Sequence, residues 1–192
     1  MYKGIKKDRN LIPFPKKKYK IIYSDPAWHF KTYSNKGEKR SAVRHYDCLN
    51  INDIYDLPVN TICDNDCVLF MWAIDPMLPE ALETIKRWGF KYKTIAFTWA
   101  KGKKNQYLDY EFFKGMGYWT RSNPEMCLLA TKGKPKRVSM NVEQFILSPR
   151  RKHSQKPDEI RDRIVQLCGD LPRIELFARQ RVEGWDCWGN EV

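Results

Sequence analysis

The chain has 192 residues, 42% of them hydrophobic and 14% aromatic, and 35 Lys and Arg against 23 Asp and Glu leave a net charge of +12. That aromatic content excludes disorder as the general state. No apolar run reaches the ~18 residues of a membrane-spanning helix, and no repeat period of a solenoid or coiled coil is visible.

A chain of this size buries one sizeable core, so a single domain over 1–192 is expected, with 1–18 as a basic lead-in. The opening MYKGIKKDRN has no apolar stretch and is not read as a secretory leader. The positive residues fall in five clusters: Lys3, Lys6, Lys7 and Arg9; Lys16, Lys17, Lys18 and Lys20; Lys101, Lys103 and Lys104; Lys132, Lys134, Lys136 and Arg137; Arg150, Arg151 and Lys152. One such run is ordinarily a solvated face. Five together favour a nucleic-acid partner over solubility alone, and no membrane is expected. The six cysteines form no C-x-x-C pair and the three histidines have no ligand spacing, so no metal site is expected. Free thiols in a reducing cytoplasm are the corresponding expectation.

The first predicted element is a buried strand over 19–23, rich in β-formers and stopped at Ser24-Asp25-Pro26, because proline cannot continue a ladder. Residues 31–47 are polar and charged, as in a mobile loop. A short helix over 50–57 is capped by Asn50 or Asn52. CVLFMWA (67–73) reads as a second buried strand. In LPEALETIKRWG, Leu78, Ala81, Leu82, Ile85 and Trp88 recur at helical spacing, and Gly89 suits the stop. A third strand spans 94–99, a long basic and aromatic loop 101–124, a fourth strand 125–131 and a short fifth 145–147. KPDEIRDRIVQLCG is a helix with Pro157 at its first position and acidic residues in its first turn, which complement the helix dipole. Its Ile160, Ile164, Leu167 and Cys168 point to the core. The last clear strand covers 173–178, and a Trp/Gly-rich tail follows. Apolar strands alternating with amphipathic helices predict an α/β fold with a mostly parallel sheet and helices on both faces. Ligands in such sheets sit beyond the carboxyl ends of the strands.

Asp25-Pro26-Ala27-Trp28 stands where such a site belongs. By itself it is an ordinary strand-ending turn. In company it means more. YSDPAW (23–28), GYWTRSNPEMCLLATKGKP (117–135), HSQKPDE (153–159) and RIELFARQRVEGWDCWGNEV (173–192) occur in one order, with CVLFMWA and EALETIKRWGFKYKT between the first two. Together they resemble the MT-A family of S-adenosylmethionine-dependent adenine methyltransferases, which includes the eukaryotic messenger-RNA enzyme and bacterial and phage relatives. The resemblance covers roughly residues 19–192. It departs at Ala27, where the family carries a second proline; the carboxylate and the indole are kept.

The resemblance implies a Rossmann-like methyltransferase fold with permuted motif order, the target-base motif early and the cofactor strand last. No G-x-G-x-x-G is present. Asp25, the Pro26 carbonyl and Trp28 are the implied catalytic group. The two oxygens accept the amine's N–H groups and the indole stacks on a flipped-out base. Implied S-adenosylmethionine contacts are Asp25 at the amino group, Lys156 at the carboxylate, Phe177 at the adenine, Arg179, Asn190 and Glu191 near the ribose hydroxyls, and Arg181 at a polar contact; no metal takes part. Implied nucleic-acid contacts are His45, Tyr46, Arg121 and Asn123 beside the target, with Arg150, Arg151, Lys101, Lys103 and Lys104 on phosphates. Taken singly, Lys156 and Arg179 read equally as surface charges, Phe177 as core and Tyr46 as a loop anchor. DNA is the expected substrate, in a bacterial or phage-infected cytoplasm, because the chain lacks the segments that eukaryotic RNA-modifying relatives add. The alternatives are an RNA adenine methyltransferase and a non-catalytic nucleic-acid-binding subunit of a heterodimer; pairing as a homodimer or heterodimer is the family's habit.

Overall fold

The computed structural model describes residues 13–28, 50–104, 109–115, 117, 119–151 and 155–192. The loop expected over 31–47 lies outside them. Eight strands form one sheet: β1 (Tyr19–Ser24), β2 (Cys63–Ala73), β3 (Lys91–Lys104), β4 (Tyr110–Phe112), β5 (Glu125–Lys132), β6 (Phe145–Ser148), β7 (Arg173–Leu176) and β8 (Asp186–Trp188). Their order is β4-β3-β5-β2-β1-β7-β8, with β6 also pairing to β3. Three α-helices are described: α1 (Ile51–Tyr55), α2 (Leu78–Arg87) and α3 (Glu159–Cys168).

Strand alternation builds two cores. On β1, Ile22 faces one side while Ile21 and Tyr23 face the other; on β2, Leu69, Met71 and Ala73 oppose Val68, Phe70 and Trp72. The first face is covered by Ile54 of α1 and by Ala81 and Ile85 of α2. The second is covered by Ile160, Ile164 and Cys168 of α3. Helices on both faces are therefore present, as the sequence predicts. Asn50 is the cap of α1, its side chain accepting the Asn52 N–H at 3.1 Å. Helix α2 is followed by Gly89 at φ 84°, a conformation that suits glycine.

The sheet is mixed. Pairs β1–β2, β1–β7, β7–β8 and β3–β6 are parallel; β2–β5, β3–β5 and β3–β4 are antiparallel. A parallel connection needs a crossover of a dozen or more residues, usually a helix. Between β3 and β5 the described chain has only the short β4, so β5 returns antiparallel. The stretch 101–124 is not all loop: β3 runs on to Lys104 and pairs with β4, Gly102 opposite Phe112 and Lys104 opposite Tyr110. The strand predicted to 178 stops at Leu176, because Phe177 has φ 61°. The Trp/Gly-rich tail contains β8, and Leu82, expected in the core, is 38% exposed.

Candidate active site

Because β5 opposes both β2 and β3, strands β1, β2, β3, β6, β7 and β8 all run one way. Their carboxyl ends and the start of β5 share one edge. The chain leaves β1 toward β2 on one side and returns through β7 on the other, so β1 is a topological switch point. Asp25 is the first residue beyond it, its N–H reaching the Leu176 carbonyl at 3.5 Å.

The turn after Asp25 is tightly held. The Trp28 N–H donates to the Pro26 carbonyl at 2.8 Å, and the Trp28 ring N–H donates to the Trp72 carbonyl at 2.9 Å. The Trp28 side chain lies in the core and is 5% exposed. This corrects the stacking role expected of it: the indole anchors the turn to β2 and has no open face for a base. The Pro26 carbonyl already accepts one N–H and retains its second lone pair.

Asp25 ends a chain of four alternating charges. Lys156, just before α3, places its ammonium 2.8 Å from both Asp25 oxygens. The same ammonium is 3.3 Å from Oε2 of Glu125, whose Oε1 accepts from Lys101 at 2.5 Å. All four side chains are at most 19% exposed. The two ammonium groups also lie over indoles, Lys156 over Trp72 at 5.4 Å and Lys101 over Trp99 at 5.3 Å, and these indoles meet edge to face. Burial pushes the Lys156 ammonium toward neutrality, but Asp25 and Glu125 outweigh it and hold its pKa above the ordinary lysine value. Burial likewise pushes the Glu125 carboxyl up, and Lys156 and Lys101 bring it below the ordinary range.

A second buried pair supports this edge. Arg161 of α3 grips Glu175 of β7 through Nε at 2.8 Å and a second guanidinium nitrogen at 3.0 Å, with the guanidinium over the Tyr23 ring. The Tyr23 hydroxyl accepts from the Trp72 ring N–H at 2.7 Å. Burial raises the Glu175 carboxyl above its ordinary value despite Arg161.

The residues expected at the cofactor lie at the same edge. Phe177 follows β7 and meets Trp188 edge to face at 5.7 Å. It is the described non-glycine residue with positive φ, a conformation that persists only where its surroundings enforce it. Gly189 follows β8 so closely that a Cβ there would lie 2.6 Å from the Ala178 carbonyl oxygen. Arg179 and Glu191 come within 3.6 Å of each other, and Asn190 and Arg181 are exposed.

The nucleic-acid candidates divide. Lys101 is spent on Glu125 inside the site and is not a surface phosphate contact. Asn123 donates to the carbonyls of Lys101 and Phe113, which makes it a brace of the β3–β4 segment. Arg151 binds Asp158 and the Lys156 carbonyl, so it steadies the approach to α3. Lys103, Lys104, Arg121 and Arg150 are exposed, Arg150 lying 4.0 Å over the Phe113 ring. His45 and Tyr46 lie outside the described residues. Glu125 and the Arg161–Glu175 pair were not foreseen. A charged residue inside the apolar run RIELF was the available signal for the second.

A family model for MT-A70 matches residues 19–191. The chain belongs to the MT-A70 family. MT-A70 is a family of N6-adenosine methyltransferases, and this chain is an adenine N6-methyltransferase with a Rossmann-like α/β fold. It is 36% identical over 195 residues to the type II methyltransferase M.MunI of Mycoplasma sp, covering 93% of this chain and 79% of that protein. It is 26% identical to a putative N(6)-adenosine-methyltransferase MT-A70-like protein of Medicago truncatula and 25% identical to the human N(6)-adenosine-methyltransferase catalytic subunit METTL3. In both, 91% of this chain is matched but it spans only about a quarter of the relative, 26% and 28%.

The MT-A70 cofactor, S-adenosylmethionine, fits the donor set at this edge. Its ammonium needs a carboxylate, its carboxylate a cation, its ribose hydroxyls a carboxylate or amide, and its adenine an apolar ring. Asp25, Lys156, Glu191 with Asn190, and Phe177 are those groups. The close approach that requires glycine at 189 leaves the space beside Phe177 free of a side chain from that position.

Proposed function

We propose that the chain transfers a methyl group from S-adenosylmethionine to the 6-amino group of adenine in nucleic acid, with DNA preferred. The observation that carries this reading is the placement of Asp25. A carboxylate that holds the Lys156 ammonium through both oxygens stands at the switch point of an MT-A70 sheet, beside the strands that would hold the cofactor.

The exocyclic amine of adenine is a weak nucleophile, because its lone pair is delocalised into the ring. When bound, S-adenosylmethionine supplies a strongly electrophilic methyl group, so the chemistry asks the protein for alignment and needs no metal. Asp25 accepts one N–H of the amine, and the free lone pair of the Pro26 carbonyl accepts the other. Both hydrogen bonds strengthen as the nitrogen gains positive charge. The amine becomes acidic only after it is methylated, so Asp25 orients first and takes the proton last. Trp28 keeps these acceptors in place by tying the turn to Trp72. Lys156 meets the cofactor carboxylate and Phe177 its adenine, while Arg179, Asn190 and Glu191 line the ribose side and Arg181 makes a polar contact. The target strand is held by Lys103, Lys104, Arg121 and Arg150, with His45 and Tyr46 near the base. Each cation of that set neutralises phosphate and carries no sequence code.

DNA is favoured because the similarity runs along most of the type II methyltransferase M.MunI but along only about a quarter of the N(6)-adenosine-methyltransferases. RNA is the second reading, favoured by the N(6)-adenosine-methyltransferase names of the longer relatives. Incubation with labelled cofactor and matched DNA and RNA pools, followed by nucleoside analysis, tests both. N6-methyladenine in the DNA pool is expected. Label confined to RNA would overturn the preference, and no label in either would overturn the reaction. Binding of the cofactor by the isolated chain separates an enzyme from a non-catalytic subunit.

A further inference from the structure

The charge chain contains more than the proposed reaction uses. Asp25 presents both oxygens to one ammonium, yet its task is to accept N–H groups from ligands. A lysine with Asp25 as its sole partner would lose its compensation whenever Asp25 turned to a ligand. A buried ammonium stripped of its partner is costly and sheds its proton. Glu125, 3.3 Å away on the first residue of β5, is the second partner. It is itself held by Lys101, whose main chain is fixed from two directions. The Lys101 carbonyl accepts from the Phe113 N–H at 2.8 Å and from Asn123 at 3.0 Å. Two carboxylates and two ammonium groups leave the cluster neutral.

We propose that Glu125, kept ionised by Lys101, is a positioning residue for methyl transfer: it retains Lys156 as a charged, fixed group while Asp25 is engaged by the target amine. This rests on the methyltransferase reading. Among the described residues, the groups that face Lys156 include Asp25 from the end of β1, Glu125 and the Cys127 thiol from β5, and the Trp72 ring from β2. Lys101 of β3 acts through Glu125, and Arg151 with its partner Asp158 lies on the Lys156 carbonyl. Among these, Asp25 and Glu125 are the anions in direct contact with the ammonium. Removing the Glu125 charge therefore shifts Lys156 deprotonation to lower pH. Removing Lys101 takes away the second cation on the Glu125 carboxylate, leaves that carboxylate to Lys156 alone and shifts Lys156 deprotonation the other way, to higher pH.

The test is Glu125→Gln, read by the pH dependence of kcat at saturating cofactor and by the titration of the Lys156 ammonium in nitrogen-15 NMR. The expected results are a fall in kcat of about tenfold to a hundredfold and an alkaline limb displaced downward by about one to two pH units. The Lys156 midpoint should drop by a similar amount, and Glu125→Asp should restore much of the limb. A reduced kcat with limb and midpoint unmoved would overturn the proposal and leave Glu125 a structural strut. Should Glu125→Gln fail to fold, Lys101→Met carries the test with the opposite sign: the Lys156 midpoint should rise, and an unmoved or lowered midpoint overturns the proposal equally. The NMR readout needs no turnover. A wild-type protein that makes no N6-methyladenine therefore refutes the reaction without touching the Lys156 result.

Discussion

Two groups of charges sit a few residues apart and behave in opposite ways. Lys101 lies where β3 is still flanked by β6, opposite Ser148, and its ammonium is half-buried against Glu125 and Trp99. Lys103 and Lys104 lie beyond that flank, on the β3–β4 hairpin. There Lys103 reaches Glu111 at 3.7 Å with 69% of its side chain exposed. An exposed pair of that kind contributes at most about 1 kcal/mol and is screened by salt. The half-buried chain Asp25–Lys156–Glu125–Lys101 is different. Each member loses hydration that its neighbours must replace, so removing one leaves the next uncompensated. The same residue type in one basic run is thus site machinery at one position and a solvated charge at the next. The position within the sheet decides which.

The sharpest way to break this contrast is at Asp25. Asp25→Ala is expected to lower methyl transfer by at least about a hundredfold to a thousandfold while nucleic-acid binding, measured by titration, changes little. Lys156→Ala comes next. It takes away the cation between Asp25 and Glu125, leaving Glu125 to Lys101 alone, and removes the cofactor's carboxylate partner, so cofactor affinity by calorimetry should fall about tenfold or more. Unchanged affinity would remove Lys156 from the cofactor site.

The acid and alkaline limits of stability separate the two buried carboxylates. Glu125 has a folded-state pKa below its ordinary value of 4.5, so its contribution is present above pH 4.5 and is lost as pH falls through the depressed value. Lys156 lies above 10.5 when folded, so its contribution is present below pH 10.5 and is lost as pH rises through the raised value. Glu175, raised by burial, has the opposite sign to Glu125: it binds its proton more readily folded than unfolded, and acid favours it. In Glu175→Gln, unfolding followed across pH 3 to 7 should therefore show a steeper acid loss than in the wild type.

The smallest expected effects are on the hairpin. Replacing Lys103 and Lys104 by Ala should weaken nucleic-acid binding modestly and reduce the salt slope by about 2, roughly 0.9 for each lost phosphate contact. Lys101→Met should leave that slope unaltered. A change of slope at Lys101 equal to that at Lys103 would erase the distinction between the two positions.

Much of the frame is legible in the chain. Strands β1, β2 and β5 are apolar runs because both faces of the sheet are covered, and α2 and α3 carry their stripes and stops openly. Asp25 is legible because it ends the first buried strand. Glu125 is not, since its role depends on the antiparallel register that sets Trp99 opposite it and brings Lys101 within reach. No local pattern records that pairing. The same holds for Trp28, whose burial follows from the Trp72 carbonyl 44 residues away. The β3 extension was hidden by its lysines, and β8 by its three-residue length.

The central claim is that the Asp25 carboxylate aligns the acceptor amine. The most direct measurement is single-turnover methyl transfer by Asp25→Asn on a DNA substrate, with nucleic-acid binding and unfolding recorded on the same sample. Loss of N6-methyladenine formation by at least about a hundredfold, from a folded protein that still binds nucleic acid, is the predicted result. Turnover at the wild-type rate would contradict it.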